Sequence, residues 1–266
     1  MNKMFCFQCE QTAGGTGCTV GGVCGKTASV ATAQDELTGA LIALASVLHK
    51  GAPANVQTDA LLIDGLFKTV TNVDFDEGDL RRLLAEVKAA ATARGVRHMF
   101  DLPSLWQEQE DVRSLKALIL FGLRGMAAYA SHAAVLGQRD LQVNAFFAEG
   151  LSALKNLRTV DELLPVVLKV GEINLACMAL LDRANTAAYG HPAPTIIHRT
   201  VEKGPFIIVT GHDLRDLELL LQQTEGQGVN IYTHGEMLPA HGYPALCRYP
   251  HLKGHFGTAW QNQQKE

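Results

Sequence analysis

Four cysteines fall within the first twenty-four residues, Cys6, Cys9, Cys18 and Cys24, spaced C-x2-C-x8-C-x5-C with glycines at 14, 15, 17, 21, 22 and 25 among them. Thiolates converging on one point hold a soft metal centre, and small residues let the backbone turn tightly around it. Glycine is poor in helix interiors, so residues 13 to 25 read as a looped cage and not as a helix. Three occupants stay open on spacing alone. Structural zinc takes two tight knuckles, whereas the second pair here is spread over five residues, which suits a larger object such as an iron–sulfur cluster. A disulfide pair is the third. The opening MNKMFCFQCE lacks a basic stretch, an apolar run and a small-residue cleavage site, so the expected compartment is reducing cytoplasm, where disulfides are rare.

At 266 residues the chain is long enough for one large or two modest domains with proper cores. Its formal net charge of −4 shows no basic footprint, so no nucleic-acid partner is expected. The most apolar helical stretches are interrupted by Gly, Ser, His or charges before reaching about 18 residues, so no membrane span is expected either.

The chain changes character near residue 190. Before it, apolar positions three and four apart predict helices over 33–49, 58–71, 76–94, 110–136, 140–155 and 160–185, which together imply a bundle. The breaks Gly51-Ala52-Pro53, Gly95 and Leu102-Pro103-Ser104 agree, and Gly122 and Gly125 suggest close helix packing. After the connector Tyr189–Pro194 the pattern alternates. Phe206–Thr210 is a continuous apolar run of the kind a parallel sheet buries on both faces, Asp213 is placed to cap a helix, and Val229–Thr233 is the next strand. The expected fold is therefore multi-domain. Residues 1–190 carry the cysteine loop and an α-helical bundle, and residues 191–266 begin a Rossmann-like parallel α/β domain through one right-handed βαβ unit. Two strands and one helix are too small a sheet to stand alone, so residues 200–266 by themselves should be marginal.

Open α/β sheets place functional residues just past the carboxyl ends of their strands. His212 follows the first strand; His234 and Glu236 follow the second, so the three are expected near one another as metal ligands or an acid–base pair. The plainer alternative is that His212 and Asp213 shape the turn and Glu236 caps a helix. Cys177 reads as a buried small hydrophobe, and Cys247 as structural or exposed. His98 and His132 read as packing or surface residues, and His241, His251 and His255 show no metal spacing. Lys26 either tempers the charge of a thiolate-bound centre or is solvated.

The segments MFCFQCEQTAGGTGCTVGGVCGKTA, EDVRSLKALILFGLRGMAAYASHAAVLG and VTGHDLRDLELLLQQTEGQGVNIYTHGEMLPAHGYP resemble the hybrid-cluster protein family, also called prismane proteins or hydroxylamine reductases. The resemblance implies a helical first domain followed by α/β domains, with a cubane near the amino terminus and a mixed iron–sulfur–oxygen cluster deeper in. On that resemblance Cys6, Cys9, Cys18 and Cys24 are [4Fe–4S] ligands, in the branch with this spacing and not the [2Fe–2S] branch. His212 in Thr-Gly-His-Asp and Glu236 in His-Gly-Glu-Met match the first two ligands of the hybrid [4Fe–2O–2S] cluster. It further implies reduction of hydroxylamine or nitric oxide under nitrosative stress, electrons from a redox donor protein, and His234 as a candidate acid.

Two departures accompany the match. The family's chains are about twice as long, and their remaining hybrid-cluster ligands fall past Glu266, so this chain is expected to be an amino-terminal half, inactive by itself and in need of a carboxyl-terminal half. The connector between Gly95 and Glu110 is also shorter than the family's. A stand-alone iron–sulfur electron-transfer module and a zinc-stabilised interaction domain are the alternatives.

Overall fold

The structure, a computed structural model, describes residues 4–9, 17–51, 55–262 and 265–266. Part of the looped cage (residues 10–16) and part of the break at 51–53 lie outside them. Six long helices come first: α1 (Ala28–His49), α2 (Val56–Lys68), α3 (Glu77–Thr92), α4 (Glu110–Val135), α5 (Leu141–Asn156) and α6 (Val160–Tyr189). A short 3-10 helix, Leu102–Gln107, fills the connector before α4.

Helix starts follow from side-chain caps. Thr27 Oγ1 accepts from the Val30 amide at 3.3 Å, and Asn55 and Thr58 form a reciprocal capping box at 2.9 Å. Asp76 and Asp140 cap α3 and α5 in the same way. The cap at Thr27 is why α1 begins five residues before its apolar stripe. From Leu37 to Ser46 every residue of α1 is buried, so it is the central helix, packed against α3 and α5.

Close approach is real at several helix glycines, Gly122 and Gly39 among them. A Cβ on Gly122 would lie 2.6 Å from Val170 Cγ1, while Gly125 faces open space, which corrects the expectation for that residue. A Cβ on buried Gly39 would overlap the carbonyl oxygen of Phe100, a backbone atom that cannot swing aside. Gly39→Ala is accordingly expected to cost about 2 kcal/mol, since overpacking outweighs the helix-propensity gain of about 1 kcal/mol. Urea unfolding followed by circular dichroism checks it.

The chain divides into two compact units. The first holds residues 1–131 and 139–179; the second holds 132–138 and 180–266, so the last turns of α4 and α6 belong to it. In the second unit, β1 (Phe206–Thr210), α7 (Leu214–Thr224), β2 (Asn230–His234), the short α8 (Pro244–Cys247) and β3 (Leu252–Phe256) give a parallel sheet in the order β1-β2-β3. Asp213 caps α7 as expected, its Oδ1 accepting from Arg215 N at 2.7 Å. Leu217 and Leu221 of α7 are buried with Ile231, Met237, Leu246 and Tyr189.

Three sequence expectations change. The sheet has a third strand, β3. The apolar run Phe206–Ile208 is not buried on both faces but lies at the edge of the sheet, each side chain more than a third exposed. Finally, α4 and α6 are each long and apolar enough to cross a membrane by length and composition alone, because Gly, Ser and His interrupt neither helicity nor apolar character. Leu164, Leu168, Leu175 and Met178 form an exposed apolar face on α6.

Candidate metal centres

Residues 17–27 contain no helix, as glycine-rich sequence dictates. The Cys6 amide donates to the Cys18 carbonyl at 3.1 Å, tying the two arms of the cysteine loop together, and Gly22 N donates to Lys26 O at 2.8 Å to close the turn that carries Cys24. A Cβ on Gly22 would sit 3.0 Å from Cys24 Sγ and 3.0 Å from Lys26 Cβ, so a side chain there would have to push one of them aside. Cys18 is buried against Met4 and Ala31, with Cys6 and Ala28 packed beside it. Cys6 and Cys9 line a surface cavity with Phe5, Trp106, Leu118 and Phe121. Among the described residues no three Cys, His, Asp or Glu side chains form a group poised to hold a metal ion.

The surroundings suit an anionic occupant. Lys26 is buried and its Nζ donates to Gln34 Oε1, so the solvated alternative is set aside. Arg124 is buried too, and Asp35 feels the charge of both cations, its side chain accepting from Gln8 Nε2. Burial pushes the Asp35 carboxyl up to about 7, against the pull of Arg124 and Lys26. Among the described residues, two buried cations face one reluctant carboxylate, and four thiolates around a cluster would balance the difference. Soft donors, small residues and excess cation together fit an iron–sulfur group. Sequence reading passed over Arg124. Its signal was a cation on the buried stripe of α4, one turn from Leu120 and Ala127.

At the sheet edge, β1 and β2 pair with Thr210 opposite His234. Each strand leaves through a glycine with positive φ, Gly211 at 140° and Gly235 at 57°, and places its next residue, His212 or Glu236, two positions past the paired residue. The two side chains meet, His212 Nε2 against Glu236 Oε2, and both are largely exposed. Glu236 lies in the first turn of the 3-10 helix Gly235–Gly242, whose N-cap position is His234. Asp213, beside His212, pairs with His132 Nδ1 at 3.4 Å; although burial pushes its carboxyl up, the His132 bond and charge hold it below the usual range.

His234 does not join the pair. It is buried, with Nε2 3.1 Å from Glu266 Oε2 and Nδ1 3.4 Å from Thr210 Oγ1. Two histidines given no role are buried nearby in sequence: Thr233 Oγ1 bonds His241 Nε2 at 2.8 Å and His255 Nδ1 at 2.9 Å. Burial depresses both imidazoles below their ordinary value. Cys177 is fully buried with Sγ 3.5 Å from Met126 O, and burial pushes its thiol up to about 11. Cys247 is exposed and donates to His241 O at 2.8 Å.

A loop of four thiols in a helical bundle, followed by an imidazole–carboxylate pair at neighbouring parallel strand tips, defines the class of protein. The model of the Prismane/CO dehydrogenase family matches residues 4–266, and the chain belongs to that family. It is 48% identical to the hydroxylamine reductase of Syntrophobacter fumaroxidans and 45% identical to those of Solidesulfovibrio magneticus and Methanocella arvoryzae. Each alignment covers 99% of this chain and 54–55% of the relative, so the chain spans about half the length of the curated relatives it matches. Among solved structures, carbon monoxide dehydrogenase IV from Carboxydothermus hydrogenoformans is 14% identical over 92% of this chain and 42% of its own, at a TM-score of 0.33.

Proposed function

We propose that this chain forms part of an oxidoreductase of the hydroxylamine reductase kind. In this reading Cys6, Cys9, Cys18 and Cys24 hold a [4Fe–4S] cluster, and His212 and Glu236 give a nitrogen and an oxygen ligand to a hybrid [4Fe–2O–2S] cluster. The observation that carries it is the meeting of His212 with Glu236 at two adjacent strand tips, in a chain whose relatives are named hydroxylamine reductases. When bound, the clusters supply single-electron transfer and an iron atom for a nitrogen–oxygen substrate.

The chain's own residues prepare that chemistry. Gly211 and Gly235 turn each strand so that the two donors face one another, and imidazole and carboxylate are harder than thiolate, as an oxygen-bearing substrate requires. Hydroxylamine takes two electrons and two protons to give ammonia and water; nitric oxide is the second substrate in this reading. His234 is the proposed proton source at Nε2, with Glu266 holding that nitrogen's proton in place. The electrons come from a redox donor protein, the setting is the cytoplasm under nitrosative stress, and the remaining hybrid-cluster ligands come from a carboxyl-terminal half such as the relatives carry.

Anaerobic reconstitution of the chain with iron and sulfide tests the first part: about four irons with matching sulfide are expected, and uptake of zinc alone overturns it. Adding the carboxyl-terminal half of the Syntrophobacter fumaroxidans relative and following hydroxylamine-dependent oxidation of a reduced dye tests the second. Turnover that disappears with His212→Ala is expected; an iron-loaded mixture without turnover reduces the chain to an electron-transfer module.

A further inference from the structure

A guanidinium has five N–H donors, and a buried one is costly unless each finds an acceptor. Arg124 is 3% exposed and uses all five. Nε donates to Thr69 Oγ1 at 3.1 Å; Nη2 donates to Gln8 Oε1 at 2.7 Å and Thr38 Oγ1 at 3.1 Å; Nη1 donates to the main-chain carbonyls of Phe7 at 3.1 Å and Gln8 at 3.2 Å. Phe7 and Gln8 are the two residues between Cys6 and Cys9. The anchors Thr38 and Thr69 are fully buried on α1 and just past α2, so the cation is fixed by the bundle and not by the loop it grips.

The planar trans peptide extends that grip along the backbone between the first two cysteines. In each peptide unit C=O and N–H point in opposite directions, so pinning the Phe7 carbonyl to Arg124 turns the Gln8 amide the other way. The far end of the Gln8 side chain is held as well, Oε1 by Arg124 and Nε2 by Asp35, so this peptide has little freedom to rotate. Positive charge and an oriented N–H both favour the more negative, reduced form of a thiolate-held cluster, and both act strongly away from water.

We propose that Arg124 is a positioning residue that raises the reduction potential of the amino-terminal iron–sulfur centre, through its charge and through the Phe7–Gln8 segment that it holds in place between Cys6 and Cys9. The inference rests on the reading that Cys6, Cys9, Cys18 and Cys24 hold that centre.

The test is a redox titration of the reconstituted chain, monitored by electron paramagnetic resonance, for the parent, Arg124→Met and Arg124→Lys, with iron and sulfide measured in each sample. Arg124→Met is expected to lower the reduction equilibrium constant at least tenfold, 59 mV for one electron, at unchanged iron content. Arg124→Lys keeps the charge but has three donors in place of five, and is expected to fall between Arg124→Met and the parent. Where Arg124→Met does not fold, a lowered potential in Arg124→Lys supports the inference and an unmoved one overturns it. A variant holding the full cluster at the parent's potential overturns the inference alone, and a parent that takes up no iron and sulfide overturns the cluster reading together with it.

Discussion

Exchanging Cys9 and Cys18 together for serine is expected to cut the iron taken up on anaerobic reconstitution from about four per chain to below one, while far-ultraviolet circular dichroism stays that of the parent. The two readouts separate because the thiols contribute little to the fold. The larger core is the Leu- and Ala-rich seam around α1, with Leu37, Leu41 and Leu44 fully buried, and it does not depend on these sulfurs. Cys18 packs in a small separate cluster with Met4 and Ala31, and its main-chain bond with the Cys6 amide is indifferent to the side chain. A serine hydroxyl, however, is a hard and reluctant ligand for iron bridged by sulfide. Cys177→Ser is the control. Its thiol is buried in the bundle and pushed up to about 11, so it is not a thiolate at neutral pH, and its loss should leave iron uptake intact. Equal loss of iron in this control and the double variant would sink the assignment of the four ligands.

What the sequence revealed and what it hid divides by range. Helices were legible because their information is local, in apolar residues three and four apart and in the glycine and proline breaks between them, while the caps Asn55, Asp76 and Asp140 emerged only in the structure. The pairing of His212 with Glu236 was legible for a related reason. Strand order in a βαβ unit fixes which ends are neighbours, and each strand is followed by one glycine and then the polar residue. β3 was not. Leu252-Lys253-Gly254-His255-Phe256 has no β-branched residue and a glycine at its centre, which argues against a strand on propensity. The glycine is there because a Cβ at Gly254 would overlap the His198 carbonyl, and His255 N donates to that same oxygen at 3.1 Å. Tertiary pairing thus overrides propensity at a residue that propensity alone would take for a break. Arg124 was hidden more deeply, since its acceptors on Gln8 and Thr69 lie 116 and 55 residues away.

Glu108→Gln is expected to cost the first unit about 3 kcal/mol at pH 7, because it strands a buried ammonium. Lys116 sits on α4 with its side chain 1% exposed, and its Nζ donates to Glu108 Oε1 at 2.6 Å. Arg158 reaches the same oxygen from outside at 2.7 Å, but its side chain is 61% exposed, so Arg158→Met should cost about 0.5 kcal/mol, as surface pairs do. The asymmetry is the point: one cation has water as an alternative and the other does not. The pH dependence follows. Burial pushes the Glu108 carboxyl up, yet the Lys116 hydrogen bond and the charges of Lys116 and Arg158 outweigh it and hold the group below its ordinary value of 4.5. A carboxyl with a depressed folded-state pKa binds fewer protons folded than unfolded, so its stabilisation is complete above about 4.5 and is lost as pH falls through the folded value. Urea unfolding of parent and Glu108→Gln should therefore differ most at neutral pH and converge below pH 4.5. A gap that stays constant or widens on acidification would show that Lys116 is compensated by some other group.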